Sequence, residues 1–209
     1  MPLHLDSLIF DLDGTLWDAT ATVTKGFQRA KQRVDYVHTD ITEAAVQAVT
    51  GQPYPVVYER LFPYLTDAQR EEFRQICSQQ ELASIRQQGG TPYPQLAETL
   101  AYLAEKYRLF IVSNCQTGYI EAFLHHNQAG RYFEGHQCFG TKNLPKADNI
   151  REIIGQFGLK APAYIGDTES DYAATHANTI PFIFAAYGFG QVPEFTARIE
   201  QLSDLRRLL

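Results

Sequence analysis

Two aspartates one residue apart, Asp11 and Asp13, stand directly behind the apolar run Leu8-Ile9-Phe10 and in front of Gly14-Thr15. A run so rich in large apolar side chains predicts a buried strand, and Gly-Thr supplies the turn that ends it. Side chains at i and i+2 of an extended chain share a face, so this spacing aims two carboxylates at one place. Such a pair repels unless a cation or a proton intervenes, which asks for a metal ion or an acid/base couple. The same grammar recurs downstream. Leu109-Phe110-Ile111-Val112 runs into Ser113-Asn114, and Ala163-Tyr164-Ile165 runs into Gly166-Asp167, followed by Asp171. Lys146 opens a helical stretch between these two runs. The carboxylates suit a hard, oxygen-seeking cation such as Mg²⁺. The ammonium of Lys146, the hydroxyl of Ser113 and the amide of Asn114 suit phosphate oxygens.

These residues can meet only if the strands that carry them end on one side. From Thr91 onward the chain alternates between helical and strand texture: a helix over 94–106, a strand over 109–112, a helix over 117–126, a short strand within 133–139, a helix over 145–157, a strand over 163–165, a helix over 171–176 and a last strand over 181–185. That alternation predicts an α/β fold with a parallel sheet covered on both faces. In such a sheet all strands point the same way, and their carboxyl ends form a common rim where sites are built. The stretch from Trp17 to Gln88 reads differently, as almost wholly helical. Apolar positions recur at helical spacing over 18–34, Pro55 opens a further helix, and Thr66-Asp67 opens a long polar helix that stops at Gly89-Gly90. Residues 1–16 and 89–209 are therefore expected to form the α/β core, with 17–88 inserted as a helical domain.

Composition sets outer bounds. With 209 residues, 44% hydrophobic and 20% charged, the chain can bury a sizeable core. A net charge of −6 argues against a nucleic-acid binder that relies on overall positive charge. Cys77, Cys115 and Cys138 are widely spaced and form no metal or disulfide pattern. With no evident leader and no apolar run long enough to span a bilayer, a cytoplasmic protein without a membrane partner is expected. The sequence is silent on oligomeric state.

Taken in order, Asp11-Leu12-Asp13-Gly14-Thr15, Ser113-Asn114, Lys146 and Gly166-Asp167-x-x-x-Asp171 resemble the motifs of haloacid dehalogenase superfamily phosphohydrolases of the phosphoglycolate phosphatase-like kind. Tyr187-Gly188-Phe189-Gly190 is similar to a stretch common there. The resemblance covers essentially the whole chain and implies a Rossmann-like parallel core with an α-helical cap. It also implies an aspartyl-phosphate mechanism: Asp11 as nucleophile, Asp13 as general acid and base, and Ser113, Asn114 and Lys146 on the phosphate. Mg²⁺ would be held by Asp11, Asp13 (through its main-chain carbonyl) and Asp167, with Asp171 placed behind them. Thr50, Gly51 and Gln52 resemble the substrate-facing loop of the cap. Gln95 stands where relatives often carry glycine, and Ala147 follows Lys146 where they carry proline. The implied substrate is a small phosphorylated metabolite; a β-phosphoglucomutase-like phosphotransferase and a catalytically silent binding protein on the same fold are the alternatives.

Overall fold

The computed structural model describes residues 4–209. The chain enters through β1 (Ser7–Phe10) and the two-residue β2 (Trp17–Asp18). It then passes through four helices, α1 (Thr20–Lys31), α2 (Glu43–Gln47), α3 (Tyr54–Leu61) and α4 (Asp67–Gln88), and returns through β3 (Thr91–Pro92). Alternation follows: α5 (Leu96–Ala104), β4 (Arg108–Ser113), α6 (Tyr119–His126), β5 (Phe133–Cys138), the single turn α7 (Phe139–Lys142), α8 (Lys146–Phe157), β6 (Pro162–Gly166), α9 (Glu169–Asn178), β7 (Phe182–Ala185), β8 (Ala197–Ile199) and α10 (Leu205–Leu208).

The main sheet has six strands in the order β5-β4-β1-β6-β7-β8, and every neighbouring pair is parallel. The fold is thus the α/β, Rossmann-like arrangement that the alternation predicts. Period-2 geometry divides its side chains between two faces. Leu8, Phe10, Leu109, Ile111, Ala163 and Ile165 enter one buried cluster together with residues of α5 and α6. Ile9, Phe110, Val112 and Tyr164 enter another with residues of α8 and α9. A strand buried on both faces cannot alternate polar with apolar, which is why these runs read as continuously apolar.

The helices between β2 and β3 hold a cluster of their own, in which Phe27, Tyr58, Phe62 and Phe73 pack ring against ring. A Thr66–Gln69 capping box starts α4. The insert joins the core through the antiparallel β2–β3 ribbon, where Trp17 faces Pro92 and Asp18 faces Thr91. No helix among the described residues is long and apolar enough to cross a membrane.

Register brings the site together. Phe10 lies opposite Ile111 on β4 and Ile165 on β6, so Asp11, Ser113 and Asp167 all emerge at the same rim. β1 itself ends before the aspartates. The amides of Thr15, Leu16 and Trp17 turn back to the Leu12 carbonyl at 3.2, 2.8 and 3.3 Å, which closes the chain into a tight turn after Asp11.

Gln95, the N-cap of α5, adopts φ 60°, in the left-handed region. A side chain there costs roughly 1 kcal/mol relative to glycine, which accounts physically for glycine at this place in similar sequences. Its only side-chain bond among the described residues is an exposed one from Arg206. Gln95→Gly should raise stability by about 0.5–1 kcal/mol, read as a higher urea midpoint with an unchanged slope.

Candidate active site

Lys146, the first residue of α8, is 4% exposed and sits between two carboxylates. Its Nζ lies 2.9 Å from Asp11 Oδ1 and 2.6 Å from Asp171 Oδ1. A third buried acid completes the group: oxygens of Asp11, Asp167 and Asp171 lie within 4.8 Å of one another. Three carboxylates thus share one ammonium in a water-poor setting, where a bare excess of negative charge is costly.

The cost appears in proton affinities. Burial, then the charge of Asp171, pushes Asp11 up to about 6 against the pull of Lys146. Burial, then Asp171 and Asp11, holds Asp167 well above the usual carboxylate range. Burial opposes charge on Lys146, but Asp11 and Asp171 outweigh it and keep the ammonium. Asp13 keeps partial exposure to the cavity it lines, yet burial, then Asp11, pushes its carboxyl up to about 8. Its surroundings thus favour the protonated form.

The three acids are not equally available to a ligand. Asp171 is saturated: Oδ1 accepts from Lys146 Nζ and Tyr164 OH, and Oδ2 from the amides of Asp167 and Thr168 and from Thr168 Oγ1. Part of that set is the capping box of α9, so one carboxylate both caps a helix and anchors the lysine. Asp167 accepts one bond on each oxygen, from Thr15 Oγ1 at 3.1 Å and from the Phe189 amide at 2.8 Å. Among the described residues the Asp11 side chain has only the lysine, as an ion pair. A carboxylate offers about four lone-pair directions, so Asp11 and Asp167 keep capacity for a cation while Asp171 does not. The trio is all oxygen, anionic and buried, which fits a hard divalent ion. The Asp13 carboxylate stands outside it and takes a hydrogen bond from Tyr119 OH at 3.0 Å.

Two glycines make room for Asp167. A Cβ at Gly14, which has φ 82°, would meet Asp167 Oδ2 at 2.2 Å, and one at Gly188 would meet Asp167 Cβ at 2.3 Å. The stretch 187–190 thus closes over the acid, with Tyr187 OH bonded to the Thr15 carbonyl at 2.7 Å.

Above the rim a cavity of about 70 Å³ separates the core from the helical insert. Asp11, Asp13 and Ser113 line its floor, and Thr50, Gly51 and Gln52 line its opposite side. Asn114 joins the two, donating from Nδ2 to the Gly51 carbonyl at 2.9 Å. The residues singled out from sequence are therefore gathered around one space, with Lys146, Asp167 and Asp171 behind Asp11. Reading by sequence missed Thr15, Tyr119, Thr168, the Phe189 amide and Glu81, which lines the cavity from α4. Threonine after the glycine of a strand-end turn was visible but read only as a turn former.

Residues 8–185 match the family model described as haloacid dehalogenase-like hydrolase. A 5'-nucleotidase of Pseudomonas aeruginosa is 26% identical, over 99% of this chain and 96% of that protein. A phosphoglycolate phosphatase of Rhodospirillum rubrum is 24% identical, over 90% of this chain and 82% of its own. Among solved structures, a haloacid dehalogenase-like family hydrolase from Streptococcus pneumoniae superposes with a TM-score of 0.84 at 20% identity, covering 96% of each chain. That last likeness concerns the fold.

Removing the ammonium should expose what it offsets. Lys146→Met in metal-free buffer at neutral pH should destabilise the protein by about 3–5 kcal/mol, because buried carboxylates lose their counter-charge. Urea denaturation checks this; a loss below about 1 kcal/mol would mean the pairs are solvated.

Proposed function

The chain belongs to the haloacid dehalogenase-like hydrolase family, and from that premise we propose that it hydrolyses a small phosphomonoester through an aspartyl-phosphate on Asp11. The observation that supports this most is the arrangement around Asp11: a buried carboxylate ion-paired to Lys146, lining one cavity with Asp13 and with Ser113. Hydrolysis of phosphomonoesters also unites the two curated relatives, which are named as a nucleotidase and a phosphoglycolate phosphatase.

In this reading Asp11 attacks phosphorus in line with the departing alcohol. A bond from an Asp11 oxygen to phosphorus forms while the ester P–O bond breaks. Lys146, tied to Asp171, holds the nucleophile's Oδ1 in place and leaves Oδ2 for the attack. Asp13 gives its proton to the leaving oxygen. Tyr119 occupies Asp13 Oδ1, which leaves Oδ2 to carry that proton. In the second half Asp13 takes a proton from water as its oxygen joins phosphorus, and the bond to Asp11 breaks. The enzyme returns to its starting state with inorganic phosphate released.

Asp11, Asp167 and the main chain at Asp13 would hold a divalent cation, Mg²⁺ in this proposal. Bound there it offsets the negative charge of the phosphoryl group. Ser113 would donate to the transferring phosphoryl, and Asn114 would divide its amide between phosphate and the Gly51 carbonyl. Residues 17–88 act as a cap that excludes water from the closed site, with 1–16 and 89–209 as the catalytic core. The β-phosphoglucomutase-like reaction would use the same first step but pass the phosphoryl to a sugar hydroxyl; nothing in the cavity favours it.

Asp11→Asn should lower turnover of p-nitrophenyl phosphate with Mg²⁺ at least about a thousandfold without changing the thermal midpoint by more than a few degrees. Near-normal turnover in that variant would remove Asp11 as nucleophile. Acid-quenched wild-type enzyme should carry one phosphoryl group on the peptide containing Asp11, seen by mass spectrometry.

A further inference from the structure

The cavity continues past Asp11 and Asp13 into the helical insert, and the reaction above leaves that inner wall unexplained. Val23, Phe27, Val46, Val49 and Val57 line it, and no lysine or arginine does among the described residues. Cations on the inner helices are committed elsewhere. Lys25 Nζ donates to Gln88 Oε1 at 3.3 Å, Arg29 Nη1 to Ser84 Oγ at 3.2 Å, and Arg74 Nε to Glu71 Oε2 at 2.8 Å.

The insert's one charged contribution to the wall is Glu81, which is 6% exposed. Its Oε2 accepts from Tyr54 OH at 3.0 Å and from Gln116 Nε2 at 2.9 Å. Gln116 Nε2 also donates to the Ser78 carbonyl at 3.1 Å, so the carboxyl is fixed from both the insert and the core. Oε1 accepts from no described residue. Burial pushes the Glu81 carboxyl up to about 7 despite those two donors. A fixed carboxyl with one oxygen free of described partners, lining the cavity, is complementary to a molecule that brings a donor.

We propose that Glu81 determines which leaving group the site takes: an alcohol bearing a hydrogen-bond donor, ammonium or hydroxyl, and no carboxylate. The inference rests on the phosphatase reading above. A substrate carboxylate would meet Glu81 with no cation of the cavity wall to separate them, a like-charge arrangement that discriminates by repulsion. A donor would instead complete the coordination of Oε1. The chain would then depart in substrate from its relative that is named a phosphoglycolate phosphatase.

The experiment compares kcat/KM at about pH 8, where Glu81 is ionised, for four esters of similar size: phosphoethanolamine, 2-hydroxyethyl phosphate, propyl phosphate and 2-phosphoglycolate. Wild-type enzyme should favour both donor-bearing esters over 2-phosphoglycolate by at least about tenfold. Glu81→Gln, which keeps the shape and removes the charge, should narrow that gap, mainly through a lower KM for 2-phosphoglycolate and a higher KM for phosphoethanolamine. Equal use of 2-phosphoglycolate by the wild type, or an equal change on all four esters in Glu81→Gln, overturns the assignment and leaves Glu81 a purely structural link. Should the variant fail to fold, the wild-type ranking decides alone. With p-nitrophenyl phosphate as a fifth ester the two readings separate: activity on it without the expected ranking defeats this inference only, whereas inertness toward all five defeats the phosphatase reading first.

Discussion

Three buried carboxylates drawn around one ammonium are the constraint to which the rest of the molecule answers. Asp11, Asp167 and Asp171 crowd within 4.8 Å, and among the described residues only Lys146 pairs with them as a counter-charge, through Asp11 and Asp171. Left to folding alone, such a group is a burden of several kcal/mol per unpaired ion. The surrounding structure is organised to hold it nonetheless. The parallel register delivers the acids to one rim, Gly14 and Gly188 vacate the space that Asp167 fills, and Thr168 and Tyr164 fix Asp171 so that it can fix the lysine. Strain of this kind, local and electrostatic, is expected where a site is preorganised for charge that arrives with a ligand.

The acids divide the work by how many donors each already has. Among the described residues Asp171 accepts five hydrogen bonds and acts as scaffold, Asp167 accepts two, and the Asp11 side chain has only its ion pair. Asp13, one step further along the same turn, faces the cavity with Tyr119 as partner, where burial favours its protonated form. Two aspartates separated by one residue thereby sit in different surroundings, a basis for the separation of roles that acid–base chemistry at neutral pH requires. The Asn114–Gly51 bond ties the rim to the loop above it, so the core and insert residues that line the cavity form one continuous wall.

Much of this was legible in the amino-acid sequence because it is local. Leu8-Ile9-Phe10 and Ala163-Tyr164-Ile165 are buried on both sheet faces and announce themselves as strands, and the polar residues behind them need only parallel order to converge. Boundaries were less visible. The aspartate turn begins directly after Phe10 because three amides fold back on the Leu12 carbonyl, a pattern no side chain advertises. The β2–β3 ribbon joins segments separated by the entire helical insert, and β8 is three residues long. The site's remaining partners were hidden by their ordinariness. Tyr119 looks like one more core aromatic, Phe189 contributes its backbone rather than its ring, and Glu81 sits in a long polar helix whose other acids are solvated.

This buried group is short of positive charge, and in the proposed reaction a divalent ion makes up the difference between Asp11 and Asp167. Isothermal titration of Mg²⁺ into metal-free protein tests it directly, without reference to any substrate. The wild type should bind one Mg²⁺ per chain, and Asp167→Asn should weaken that binding at least about tenfold while the fold, followed by circular dichroism, is retained. Equal Mg²⁺ affinity in the two proteins, or no binding to the wild type at millimolar concentrations, would contradict it.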